Sequence, residues 1–415
     1  MTSLIARYRS FDRPARLLML NQLTINLGFY MLMPYLASHL SADLALAGWV
    51  VGLVMGVRNF SQQGMFLIGG TLADRLGYKP LIIAGCALRT GGFALLGLVD
   101  SVPALIIASA ATGFAGALFN PAVRAYLAAD AGERRVEAFA LFNVFYQTGI
   151  LLGPVVGLVL TSVAFKLTCL TAAAVFAVLT VLQVRALPPH AAERPAQPRS
   201  IGQDWAGVFR NRSFVLFSLA MIGSYVLSFQ VYLALPLEAR RIAGPGFSGT
   251  ALVAILFGLS GALAIAGQLR ITAWCRERWS PGRCLATGLL LMAAAFLPPA
   301  LTSGVADGPP ALTWLPLILS AALLALGTLV VFPFEMDTIV ALSGNRLVAT
   351  HYGLYNTVVG VGILLGNLFT GTLLDLARDA GVPAAPWLVL TLLGAACAWG
   401  VRALSAANRL VPAAA

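Results

Sequence analysis

Charge is scarce in this sequence. Only 10% of its 415 residues are Asp, Glu, Lys or Arg, where soluble domains carry about a quarter. Histidine occurs three times, as His39, His190 and His351, with no ligand spacing. Of the five cysteines, Cys86, Cys169 and Cys397 sit in apolar runs. Cys275 and Cys284 flank a basic loop with no histidine beside them. That is not a zinc pattern, so no metal is expected and the thiols read as free. No basic stripe interleaves with base-stacking aromatics, which sets nucleic acid aside. Nothing resembles a nucleotide-binding loop, so no cofactor is expected and the proton motive force is the expected energy source. A membrane enzyme would need a clustered catalytic set, and a sensor would need a soluble output domain. Neither is found, so no enzyme is expected.

Apolar residues are what is there: 59% of the chain, with a mean hydropathy of +0.86. A spanning helix needs about 20 mostly apolar residues. Twelve segments qualify: 17–40, 46–72, 80–99, 103–127, 138–162, 166–187, 213–237, 248–272, 283–302, 311–340, 347–376 and 385–404. Backbone groups in lipid must pair within the segment, and no β-barrel alternation is seen, so the spans read as helices. The first apolar stretch runs from Leu17 to about Leu36, too long for the roughly 7–15-residue core of a signal peptide.

The 27 Lys and Arg outnumber the 16 acids, for a net charge of +11. With the N-terminus inside, inner loops and tails hold twenty of the 27. Outer loops hold Lys166, Arg240, Arg241 and Arg378, and Arg58, Arg89 and Arg124 fall within helices. That split predicts cytoplasmic termini in a multi-pass membrane protein. The Pro- and Ala-rich stretch "PPHAAERPAQPRSIGQDW" reads as an inner linker. It divides the chain into a six-helix bundle at 1–187, a linker at 188–212 and a second bundle at 213–415.

The halves repeat. Asn143, Gly149 and Gly153 map onto Asn356, Gly362 and Gly366. "GALFNPAVR" at Gly116 echoes "GTLVVFPFEMD" at Gly327. Two such matches in consecutive helices, at nearly one offset, predict two pseudo-symmetric six-helix bundles, an architecture of facilitator-type transporters.

The stretch "GGTLADRLGYKP" is a charged turn between two apolar runs. Gly70-x-Leu72-x-Asp74-Arg75-x-Gly77-x-Lys79 resembles the signature of the major facilitator superfamily. The resemblance implies that this turn packs helix 2 against helix 11 and that Asp74 helps latch one state. Independently, glycines permit close helix approach, and Asp74 suits the positive end of a helix starting at about Leu347. Arg75 and Lys79 also serve as topology anchors. The family commonly has an arginine where this chain has Tyr78; Arg124 is the expected substitute, with Asp130 as a further partner. In helix 5, Gly149-x-x-x-Gly153-Pro154-x-x-Gly157 resembles the motif of the drug:proton antiporter branch. With "GVRNFSQQG" and "LFNPAVR", the whole chain looks most like the MdtH-type multidrug exporters of that branch. That resemblance implies the inner membrane of a bacterium. Two positions depart from proton-coupled members: Ser109 stands where many carry an arginine, and Asn21 where some carry an acid.

Several polar residues in the spans remain. Arg58, near the midplane, is either a functional cation or a structural arginine bonded to helix carbonyls. Arg89, midway along helix 3, has the same two readings. Glu335 is the best proton-carrying carboxylate, with Asp337 beside it; the alternative is an end-of-helix acid paired with Arg346. Asn21, Gln22, Asn26, Tyr30, Asn143, Gln147, Tyr225 and Gln230 either line a solute path or bond helix to helix. The expected function is secondary transport of a small organic solute, outward against protons, by a monomer in the lipid bilayer. Uptake or facilitation of a small metabolite is the alternative.

Overall fold

A computed structural model describes residues 4–46, 48–188, 200–243, 247–303 and 310–410. Among them every regular element is helical. The first unit holds α1 (Leu4–Arg9), α2 (Arg13–Tyr30), α3 (Met33–Ser38), α4 (Gly48–Gln63), α5 (Phe66–Leu76), α6 (Tyr78–Leu98), α7 (Val102–Ala131), α8 (Arg135–Thr161), α9 (Phe165–Ala186) and α10 (Ile201–Arg210). There follow α11 (Arg212–Ser228), α12 (Ala234–Ala243), α13 (Phe247–Arg278), α14 (Pro281–Ala294), α15 (Leu297–Thr302), α16 (Pro310–Ser343), α17 (Val348–Asp379) and α18 (Ala385–Ala406). One compact unit comprises Met1–Asn211 and Ser343–Thr357, the other Arg212–Leu342 and Val358–Ala415. The first ten residues of α17 thus belong to the first unit.

Nine helical stretches among the described residues are long and apolar enough to cross a membrane. One of them, Val102–Thr161, joins α7 and α8 through a 3-10 turn and so carries two expected spans. The first two expected spans are each broken. Pro34, in the first turn of α3, has no N–H to offer a continuing helix. The second breaks between Gln63 and Phe66, beside Gly64, after the polar run "SQQ". Part of the expected linker is helical: Ser200 caps α10, accepting from Gln203 N while the Gln203 side chain accepts from Ser200 N. Residues 189–199 of that linker lie outside the described residues.

Each unit has its own core. In the first, α6 packs on α7 and α9, and α2 packs on α8. Phe93, Phe119, Tyr126, Phe139, Phe176 and Tyr352 are fully buried there. In the second, α14 and α11 pack on α18, around Phe214, Phe217, Phe296 and Trp387. Large apolar side chains such as Leu301, Leu364 and Trp399 point outward, as expected where lipid rather than water is the solvent.

Candidate functional site

The glycine-flanked turn builds a site in the first unit. Gly77 adopts φ 92°, a conformation that favours glycine, and so turns the chain between α5 and α6. Gly69 and Gly70 clear two neighbours: a Cβ at 69 would collide with the Ala117 carbonyl of α7, and one at 70 with the Ala349 carbonyl of α17. Gly353 gives reciprocal clearance, since a Cβ there would meet the Phe66 and Leu67 backbone. The backbones of α5 and α17 therefore touch.

That contact brings Asp74 to the start of α17. Asp74 Oδ1 accepts from Ala349 N at 3.1 Å, and Oδ2 accepts from Thr350 N and Thr350 Oγ1, each at 2.6 Å. The two N–H groups are first-turn donors that lack a partner within their own helix, at its positive end. The chain reaches this position through Gly344, Asn345 and Leu347, all at positive φ. Leu347 at φ 50° is costly for a bulky residue. Asp74 is only 7% exposed. Burial pushes its carboxyl up to about 6, opposed by the hydrogen bonds from Thr350, Ala349 and Tyr78.

The fourth donor to Asp74 is the Tyr78 hydroxyl, 3.4 Å from Oδ1. This corrects the expectation for Arg124, which bonds neither Asp74 nor Asp130. Arg124 Nη1 donates instead to Asn356 Oδ1 at 3.0 Å, and Asp130 accepts from Ala15 N at 3.1 Å. Tyr78 opens α6 directly after the Gly77 turn, and its hydroxyl reaches the site that Arg124 would approach from α7. Arg75 turns outward from the turn to α10: its Nη2 lies 2.6 Å from Asp204 Oδ2. Trp205 Nε1 donates to Thr71 Oγ1 at 2.8 Å. Lys79 Nζ donates to the Val184 carbonyl at 2.9 Å, in the last turn of α9, where a cation suits the helix dipole.

The helix-5 motif lies on α8 against α2. A Cβ at Gly149 would meet Leu23 and Asn26, one at Gly153 would meet Tyr30, and one at Gly157 would collide with the Met31 carbonyl. The Pro154 carbonyl accepts from the Tyr35 hydroxyl at 2.6 Å. The repeat reappears in the second unit, where Gly362 and Gly366 face Ile222 and Val226 of α11. Pro121 and Pro333 likewise both lie inside helices.

The polar candidates separate. Asn21, Gln22 and Asn26 are buried on α2, and Asn26 donates to the Gln22 carbonyl at 2.8 Å. Asn143 is buried, and Gln147 and Tyr30 half-buried, in the same unit. Arg58 and Arg89 both approach the Phe29 ring. In the second unit Glu335 is 2% exposed and accepts from Ser224 Oγ at 3.2 Å. Asp337 is half-buried two residues further along α16, and Tyr225 is half-buried on α11. Gln230 donates to Val226 O at 2.8 Å and Asn367 Oδ1 at 3.3 Å, an interhelical bond.

Glycine-built helix contacts, a capped first turn of α17 and apolar outer faces define a multi-pass helical membrane protein. The chain belongs to the Major Facilitator Superfamily, whose family model matches residues 18–367. It is 57% identical over 399 residues to the uncharacterized MFS-type transporter Rv0849 of Mycobacterium tuberculosis, covering 96% of this chain and 95% of that protein. It is 26% identical over 399 residues to the multidrug resistance protein MdtH of Escherichia coli, covering 95% and 96%. Among solved structures, the fucose:proton symporter FucP of E. coli shares the fold, with a TM-score of 0.72 at 17% identity over 94% of this chain and 98% of that one.

Proposed function

We propose that the protein is a proton-coupled exporter of small organic, drug-like solutes, with both termini in the cytoplasm of a bacterial cell. The observation that carries this reading is the α8 face Gly149, Gly153 and Gly157, pressed backbone-to-backbone on α2 around Pro154. Close small-residue packing makes the contact stiff and specific, and the same spacing marks the antiporter branch. Similarity to MdtH, a multidrug resistance protein by name, supports the same direction of transport. In this reading Asp74 gates by capping α17, Glu335 carries the proton, and the transporter works as a monomer on the proton motive force.

A substrate screen in a bacterial strain stripped of its own exporters tests this. Expression should raise tolerance to some organic solutes, and Asp74→Asn should abolish the gain. Inverted vesicles should accumulate the same solutes only with a proton gradient. Increased cellular accumulation of those solutes would establish uptake instead and reject export.

A further inference from the structure

Two guanidinium groups share one aromatic ring inside the first unit. Arg58 Cζ lies 4.3 Å from the Phe29 centroid. Arg89 Cζ lies 6.0 Å from the same centroid and 5.4 Å from that of Phe176. The four residues come from four helices, α4, α6, α2 and α9. Among the described residues neither arginine has an acidic partner. Arg58 donates only to neutral acceptors, Asn59 Oδ1 at 2.8 Å and Gln62 Oε1 at 3.0 Å. Arg89 is 5% exposed, and its Nε and Nη1 have no hydrogen-bond partner. Arg58 Nε has none either.

The cost of this arrangement is large. Each charge within a span costs at least about 2.5–3.5 kcal/mol on insertion scales, and two like charges add repulsion. Stacking on an aromatic face returns about 0.5–2 kcal/mol and neutralises nothing. Bare backbone admits the pair against α7: a Cβ at Gly116 would come 3.1 Å from Arg89 Nη2 and 3.2 Å from Gln62 Cδ, so only glycine lets those two side chains lie there. Buried, directional donors with no counter-charge beside a flat apolar ring are complementary to a planar anion on an aromatic body.

We propose that Arg58 and Arg89 together bind the carboxylate of an aromatic organic solute, with Phe29 as the wall for its apolar part. This rests on the solute-export reading above and names a substrate class for it. Gln62 positions the Arg58 fork.

The test uses the purified full chain in phosphatidylcholine nanodiscs. Binding of 2-naphthoate is compared with that of 2-naphthamide, its neutral isostere, by calorimetry. The wild type should prefer naphthoate by roughly tenfold or more, the scale of a hydrogen bond to a charged group. Arg58→Gln and Arg89→Gln should bring the ratio close to one while naphthamide binding persists. Arg58→Lys and Arg89→Lys keep the charge, guard against loss of folding and should give intermediate ratios. Equal binding of both probes by the wild type overturns the proposal. So does a parallel loss of both probes in the Lys variants with a lowered melting temperature, which marks purely structural arginines. Replacing part of the lipid by phosphatidylglycerol distinguishes the other source of anion: loss of the naphthoate preference there assigns the pair to a headgroup and overturns the solute site. A failed export screen with the naphthoate preference intact rejects export alone.

Discussion

Asp74 and Thr350, 276 positions apart in the chain, meet through two hydrogen bonds of 2.6 Å each. One comes from the Thr350 backbone and one from its hydroxyl, and both converge on Oδ2. Asp74→Asn replaces this charged acceptor by an amide whose N–H₂ cannot accept. Transport should fall at least tenfold, since hydrogen bonds to charged groups are worth about 1.5–3 kcal/mol. Thr350→Val removes one donor of four and should lose less, and Asp74→Glu should retain more activity than Asn. The check is initial-rate transport in vesicles at saturating substrate, with surface-matched expression. Normal rates for Asp74→Asn would remove it from the gate.

Protonation should mimic that substitution. Burial raises the Asp74 carboxyl to about 6, so it takes up its proton as pH falls through 6 rather than near 4. The protonated form offers a weaker acceptor to Ala349 and Thr350. Hydrogen exchange at the start of α17 should therefore speed up between pH 7 and pH 5, once corrected for intrinsic rates. In Asp74→Asn the corrected rate should be fast and flat over that window. A flat profile in the wild type contradicts the prediction.

The glycine face of α8 makes a prediction with a built-in control. Gly157→Ala drives a methyl into the Met31 carbonyl, while Gly371→Ala meets nothing within 4 Å. Overpacking costs about 1–3 kcal/mol, and alanine otherwise favours helix over glycine by up to about 1 kcal/mol. Gly157→Ala should lower the melting temperature and transport together. Gly371→Ala should match or exceed the wild type in melting temperature. Similar behaviour of the two variants would refute close packing at 157.

Much of this arrangement was legible in the sequence, and the unread parts share a cause. The all-helical membrane fold follows from apolar run lengths, because lipid permits few alternatives. A helix starting near Leu347 was expected opposite Asp74, and α17 starts at Val348. Pro34 and the polar run before Gly64 were local signals of the two broken spans, outweighed by the surrounding hydropathy. Tyr78 as a donor to Asp74 was within reach too, since it stands four positions on, just past the glycine of the same turn. Arg75 with Asp204 and Arg89 with Phe29 were not. Those partners are set by tertiary packing between distant segments, and no spacing in one chain encodes them.

Glu335 is the acid on which proton coupling rests in this reading. It lies inside α16, two residues past Pro333, and is almost fully buried. The Ser224 hydroxyl of α11 donates to its Oε1 at 3.2 Å. Glu335→Gln keeps the shape and the acceptor oxygen but cannot exchange a proton. It should abolish proton-driven accumulation in inverted vesicles while sparing solute exchange down a concentration gradient. Glu335→Asp keeps the carboxyl one methylene shorter and should retain partial coupling. Ser224→Ala removes this hydroxyl and should leave coupling present. The measurement is solute uptake against pH, with and without an imposed proton gradient, on all three variants. Full proton-driven accumulation by Glu335→Gln would exclude it as the proton carrier and leave Asp337 and Asp74 as the carboxylates to test next.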